Sequence, residues 1–150
     1  MSDRPSLTLR RRIRTSPARV FAAWTDPRQI PLWWGPAGSV TLSAEADPRP
    51  GGRYHVVFTT PDGEQHDVSG TYEQVVPDAK LVFTWMWRTL PDRVSLVTID
   101  IVPDGDHTLL TLTHERFFDE AARDGHREGW SSCLDRLVAL FAPHEETTHA

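Results

Sequence analysis

The stretch "LVFTWMW", residues 81–87, decides how the rest of the chain is read. Leu81, Phe83, Trp85 and Trp87 share one parity, and Val82, Thr84 and Met86 share the other, the period-two alternation of a strand with two unlike faces. Three large rings on one side of a strand require a deep apolar layer opposite them. The runs on either side repeat the pattern. "RYHVVFTT" (53–60) sets Tyr54, Val56 and Phe58 against His55, Val57 and Thr59. "HDVSGTYEQV" (66–75) places Val68, Gly70 and Tyr72 on the same inner face. "VSLVTIDIV" (94–102) adds Val97, Ile99 and Ile101, and "TLLTLTHE" (108–115) adds Leu110, Leu112 and His114. "SVTLSAEA" (39–46) is a further strand of this type. The separators "DPRPGG", "PDG", "VPDAK", "TLPDR" and "VPDGDH" are Pro, Asp and Gly clusters that reverse the chain. These runs predict an antiparallel meander over about residues 39–115.

Helical spacing brackets the meander. Near the N-terminus, "LTLRRRIR" alternates Leu7, Leu9 and Ile13 with Thr8, Arg10, Arg12 and Arg14, an edge strand with a solvated basic face. Ser16-Pro17 is an N-cap followed by a first-turn proline, and "ARVFAAW" spaces Val20, Phe21 and Trp24 for a short helix. Asp26-Pro27 repeats the signal for a second short helix reaching about Leu32. At the far end, Trp130, Leu134, Leu137, Val138 and Phe141 recur at three- and four-residue steps in "DEAARDGHREGWSSCLDRLVALFA". They predict an amphipathic helix of about five or six turns, with Asp119 and Glu120 at its favourable N-terminal end. The economical packing is α+β: a curved antiparallel sheet of about seven strands, one face wet and the other wrapped round the long helix. Residues 1–150 read as a single domain with a core of about 7–142 and a short polar tail containing His144 and His149.

The chain has 150 residues, 39% hydrophobic and 25% charged, with a formal net charge of −5. That balance argues against nucleic acid as a partner, and the arginines at 10–14 lack interleaved aromatics. No apolar run approaches the roughly 20 residues of a membrane span, and no apolar block follows the N-terminal arginines. With a lone cysteine, Cys133, no internal disulfide is available, and the expected location is cytoplasmic. Cys133 falls in the apolar part of the last helix, where a thiol packs as a small hydrophobe. No G-x-S-x-G elbow, dinucleotide fingerprint, P-loop or paired metal-ligand spacing occurs, so no catalytic residue, cofactor or metal is expected.

The inner face does suggest a pocket. Tyr54, Phe58, Tyr72, Phe83, Trp85 and Trp87 line it with rings. His114 faces inward from its strand, and His126 sits four residues before Trp130 on the same side of the long helix. "TDPRQIPLWWGP" (25–36) adds Trp33 and Trp34 in a proline-bounded bend. Mostly apolar walls with a few convergent polar groups are characteristic of a ligand cavity, although the same rings could simply fill a core.

"SPARVFAAWTDP", "WWGP", "RPGGRY", "GTYEQVVPDAKLVFTW", "THERF" and "HREGWSSCLDRL", in this order over about residues 7–142, resemble the START-like (SRPBCC) superfamily with its birch-pollen-allergen-like helix-grip fold. The nearest likeness is to bacterial homologues of the C-terminal domain of the heat-shock protein 90 ATPase activator. The resemblance implies a β-α-α-β6-α order, a cavity between sheet and last helix, and a small apolar or aromatic ligand held in a stress-related role. It places one ring of "WWGP" in the core and the other near the cavity mouth, with Trp34 assigned the buried place. The ligand-binding set is then Trp34, Tyr54, Phe58, Tyr72, Phe83, Trp85, Trp87, His114, His126 and Trp130. Two other readings stay open. One is a cyclase- or lyase-type enzyme moving a proton with His114 or His126. The other is a co-chaperone-like module meeting a chaperone transiently, as a monomer or weak homodimer.

Overall fold

The computed structural model describes residues 4–142, so His144 and His149 lie outside the described residues. Strand β1 (Leu7–Ile13) leads into helix α1 (Pro17–Thr25), followed by β2 (Val40–Ala46), β3 (Arg53–Thr59), β4 (Gln65–Val76), β5 (Lys80–Trp87), β6 (Ser95–Asp104), β7 (His107–Glu115) and the long helix α2 (Glu120–Leu140). The strands form one seven-stranded antiparallel sheet in the order β1-β7-β6-β5-β4-β3-β2, curled into a half-barrel with α2 in its hollow. Sequential strands joined by tight turns account for the run β2 to β7, and β1 closes onto β7 with Leu7 opposite His114 and Leu9 opposite Leu112. No helix among the described residues is long and apolar enough to cross a membrane.

The alternation read from the sequence is the alternation of burial. Leu81, Phe83 and Trp85 are buried, as are Tyr54, Val56, Phe58, Val68, Tyr72, Val97, Ile99, Ile101, Leu110, Leu112 and His114. From α2, Trp130, Cys133, Leu134 and Leu137 face into them. Ser16 caps α1 by accepting from the Arg19 amide, and Asp119 caps α2 by accepting from the Ala122 amide. Each satisfies one of the amides that a helix start leaves without a partner.

The β4–β5 pair depends on Gly70. A Cβ there would lie 1.9 Å from the Thr84 carbonyl oxygen and 2.7 Å from the Tyr54 ring. The space a side chain would occupy is covered by Tyr54, whose hydroxyl donates to that same carbonyl at 2.5 Å. A register shift between Tyr72 and Gln74 follows, the bulge that adds twist where the sheet curls.

Two expectations are corrected. The second short helix after β1 is a single 3-10 turn, Ile30–Leu32. The Asp26 carboxylate bonds the Arg28 amide instead of opening an α-helix, and Pro31 offers no amide to continue one. Both adjacent indoles are buried, Trp34 as expected and Trp33 more completely, so neither stands exposed at a cavity mouth. Trp33 is fully enclosed, its N–H donating to the Ala23 carbonyl at 3.0 Å, whereas Trp34 reaches the cleft described below.

Helix α2 holds this bend from the other side. Arg136 Nη1 lies 2.7, 3.2 and 3.3 Å from the carbonyl oxygens of Trp34, Gly35 and Pro36. Ser132 accepts from the Ala37 amide, and the Cys133 thiol approaches the Trp33 carbonyl. Gly35 has φ +84°, a conformation few side chains tolerate, and a Cβ would meet Ser39 Oγ at 2.7 Å. Arg11 joins the inner parity of β1 and reaches α2, with Nη2 on Ser131 Oγ at 2.9 Å and Nε on Asp135 at 3.0 Å. Arg12, on the outer parity, pairs with Asp104.

Arg136→Met should keep the apolar stem but remove the donor to three carbonyls, costing about 2–3 kcal/mol, the scale of a charge-assisted hydrogen bond. A lowered urea midpoint with unchanged slope is the expected readout. Gly70→Ala, which drives a methyl into a backbone carbonyl, should cost about 2–3 kcal/mol or prevent folding.

Candidate functional site

A buried hydrogen-bond relay links α2 to the sheet. Trp130 Nε1 lies 3.0 Å from His114 Nδ1, and an indole nitrogen can only donate. His114 Nδ1 must therefore carry the lone pair, which puts the imidazole proton on Nε2. That proton points at Ser95 Oγ, 2.7 Å away, whose own hydrogen turns toward the Trp85 carbonyl at 3.4 Å. His114 is fully buried, with the Phe117 ring 4.2 Å from its own. Burial, with His126 as a smaller contribution, holds it well below the ordinary imidazole range.

His126 repeats the logic in the opposite tautomer. Trp87 Nε1 donates to its Nε2 at 2.9 Å, so the proton resides on Nδ1 and is donated to the Ala122 carbonyl at 2.7 Å. Burial lowers its pKa too, with the Ala122 bond acting the other way. Both histidines are therefore neutral acceptors of indole N–H groups, and every ring nitrogen is occupied.

In front of the relay lies a cleft of about 590 Å³. The sheet side is ringed: Phe58, Trp85 and Trp87, joined by Trp34 from the bend and Trp130 from α2. Trp34 and Trp85 lie nearly parallel, with centroids 5.8 Å apart, and Trp85 meets Trp87 edge-on at 5.4 Å. The α2 side is bare. Ala121, Gly125, Gly129 and Cys133, four residues apart on one helix face, border the space, and a Cβ added at either glycine would meet nothing within 4 Å. Thr60, His66, Leu90, Arg93 and Asp119 complete the rim.

Of the residues singled out in the sequence, the cleft brings together Trp34, Phe58, Trp85, Trp87, His126 and Trp130. Tyr54, Tyr72 and Phe83 do not border it. They pack on one another with centroids 5.2–6.0 Å apart, and the Tyr54 ring covers Gly70. His114 lies behind the wall formed by Trp85 and Trp130. The small-residue stripe of α2 went unremarked in the sequence, although its four-residue spacing is legible there. So is the inward parity of Ser95, which matches that of Val97. Leu90 and Arg93 had no signal of their own, being turn residues brought to the rim by the β5–β6 connection.

The chemistry open to this site is limited. Burial raises the Cys133 thiol to about 12, so it is held as the unreactive thiol. Asp62, Glu64 and His66 present ligand atoms within 4.8 Å of one another. Asp62 is already engaged by Thr60 and the Glu64 amide, however, and His66 Nε2 by Thr60.

The neutral histidines set a pH dependence. An unfolded imidazole titrates near 6.5, and both folded ones titrate lower, so below that value the unfolded chain binds more protons and stability falls. The melting temperature should therefore drop between pH 7.5 and 5. Asp26 and Asp62, held below 3.8 mainly by their bonds to Arg28 and Thr60, contribute only under more acid conditions. His126→Gln, whose amide can accept from Trp87 and donate to Ala122, should flatten the drop. Equal slopes in parent and variant would contradict this assignment.

Comparison with known proteins places the architecture. The family model described as Activator of Hsp90 ATPase homolog 1-like protein matches residues 14–142. Among solved structures, a protein of Chromobacterium violaceum superposes with a TM-score of 0.82 at 29% identity, covering 92% of this chain and 97% of its own. An AHSA1 protein of Silicibacter pomeroyi gives 0.80 at 30% identity, with 90% and 96% covered. A protein of Rhizobium loti gives 0.73 at 30%, with 90% and 95% covered. No curated protein matches the sequence significantly. With a START-like helix-grip fold and a family match over nearly all its described residues, the chain belongs to the Activator of Hsp90 ATPase homolog 1-like family.

Proposed function

We propose that this protein binds a small apolar, aromatic molecule in the cleft between α2 and strands β3 to β5. The observation that carries this reading is the asymmetry of the walls: indole and phenyl rings on one side, and on the other a helix stripped of side chains at Gly125 and Gly129. Glycine inside a helix costs roughly 1 kcal/mol relative to alanine. Two of them facing open space are an expense that packing does not recover, whereas an enclosed ligand would use the room. About 590 Å³ falls within the range of roughly 300–1,000 Å³ usual for small-molecule sites.

Binding is favoured over acid–base catalysis by the hydrogen bonding. A general base needs a free lone pair within reach of substrate. In His114 and His126 both lone pairs accept from tryptophans and both protons are donated inside the protein. The family also fits interaction with a chaperone, and one feature supports that second reading. Leu32, Val40 and Leu42 stand more than half exposed on and beside β2, the free edge of the sheet.

Native mass spectrometry of the purified protein should reveal an added mass that denaturation releases, or, on an apo protein, uptake of a neutral naphthalene probe that quenches tryptophan fluorescence. Gly129→Met should weaken probe binding at least tenfold by filling the cleft. It should also melt at or above the parent temperature, because the helix loses a glycine. A clean apo mass with no quenching, or undiminished binding in Gly129→Met, would reject the cleft as the site and turn attention to the β2 edge.

A further inference from the structure

We infer that the molecule held in the cleft carries one anionic group, bound by Arg93; this rests on the reading of the cleft as a ligand site. Most polar groups along the walls are already committed; the Trp85 indole N–H, buried without a partner among the described residues, is a neutral exception. Trp87 and Trp130 have given their N–H groups to His126 and His114. Thr60 donates to Asp62 and meets His66 Nε2. The Cys133 thiol approaches the Trp33 carbonyl, and Asp119 accepts the Ala122 amide at the start of α2, where the helix dipole offsets its charge. Arg93 is different. Its guanidinium has no hydrogen-bond or ion-pair partner among the described residues.

Arg93 is nevertheless held in place. Its Cζ stacks 3.8 Å over the Phe118 ring, and its backbone N–H closes a turn onto the Leu90 carbonyl. Stacking uses the face of the guanidinium and leaves its edge, with five N–H donors in one plane, directed outward. That edge matches two oxygens of a carboxylate or sulfonate. A stacked cation with an unused fork, beside walls whose other unpaired donors are neutral indole N–H groups such as that of Trp85, fits an aromatic acid: rings against Trp85 and Trp87, anion on Arg93. Arg93 is exposed, so with a neutral hydrocarbon in the cleft the fork keeps its water and contributes nothing to binding.

The test is a matched pair, naphthalene-2-carboxylate and naphthalene-2-carboxamide, titrated against tryptophan fluorescence at low and high salt. The parent should bind the carboxylate at least tenfold tighter than the amide, with the difference shrinking as salt screens the charge. Arg93→Gln should lose that advantage and leave amide binding unchanged, and Arg93→Lys should restore part of it. Gly129→Met should weaken both probes. Equal affinity of the parent for the two probes, or an unaltered preference in Arg93→Gln, would overturn the role of Arg93 while leaving the cleft a binding site. Failure of both probes to bind, or binding insensitive to Gly129→Met, would overturn the cleft reading as well.

Discussion

The indole N–H of Trp130 meeting the bare nitrogen of His114 is the contact from which the rest of this architecture follows. It passes from α2 to β7, and through Ser95 and the Trp85 carbonyl it continues into β6 and β5. A buried polar group is costly unless its partners are complete. Here completeness demands one tautomer of one neutral histidine, which fixes the rotation of α2 about its own axis. With that rotation set, Leu134 and Leu137 enter the core, and the stripe from Ala121 to Cys133 turns toward the cleft. The second indole–imidazole contact, Trp87 to His126, reinforces the same rotation one turn earlier on the helix.

The proline-bounded bend with two tryptophans has a matching role. Trp33 is driven fully into the core and stacks edge-on to Trp24 at 4.6 Å, which forces its neighbour Trp34 toward the hollow of the sheet. The two indoles stay in contact, with centroids 5.7 Å apart, and both are buried, Trp34 on the side that borders the cleft. Arg136 takes the Trp34 and Gly35 carbonyls and shares that of Pro36 with the Ser39 amide, and Gly35 allows the left-handed turn that brings them together. Sheet, bend and helix thus share their polar groups across long sequence separations, and the walls of the cleft are held by the same bonds that hold the fold.

That economy has a consequence for chemistry. Groups that would serve as acids, bases or nucleophiles are consumed by structure: two histidines by tryptophans, one thiol by burial. The cleft is left with aromatic surface, bare helix and a rim that holds His66, Asp119 and the stacked Arg93. Proton transfer by His114 or His126 would first have to break the indole contacts that hold α2 to the sheet.

The elements and their faces are legible in the chain alone. Alternation in "LVFTWMW" and its neighbours, three- and four-residue spacing from Trp130 onward, and turn clusters between strands are local signals, because backbone geometry alone sets their periods. They place Trp85, Val97, Leu112 and His114 inward without any knowledge of partners. Only the tertiary structure decided which inward residues border a cleft and which fill the core. Tyr54, Tyr72 and Phe83 look no different in sequence from Phe58 and Trp85, yet the former pack on one another while the latter border the cleft. It likewise decided the tautomers of His114 and His126, the order of burial of Trp33 and Trp34, and the position of Arg93 at the rim. Each of these depends on a partner from a different element, and parity and period give the direction of a side chain but not what it meets.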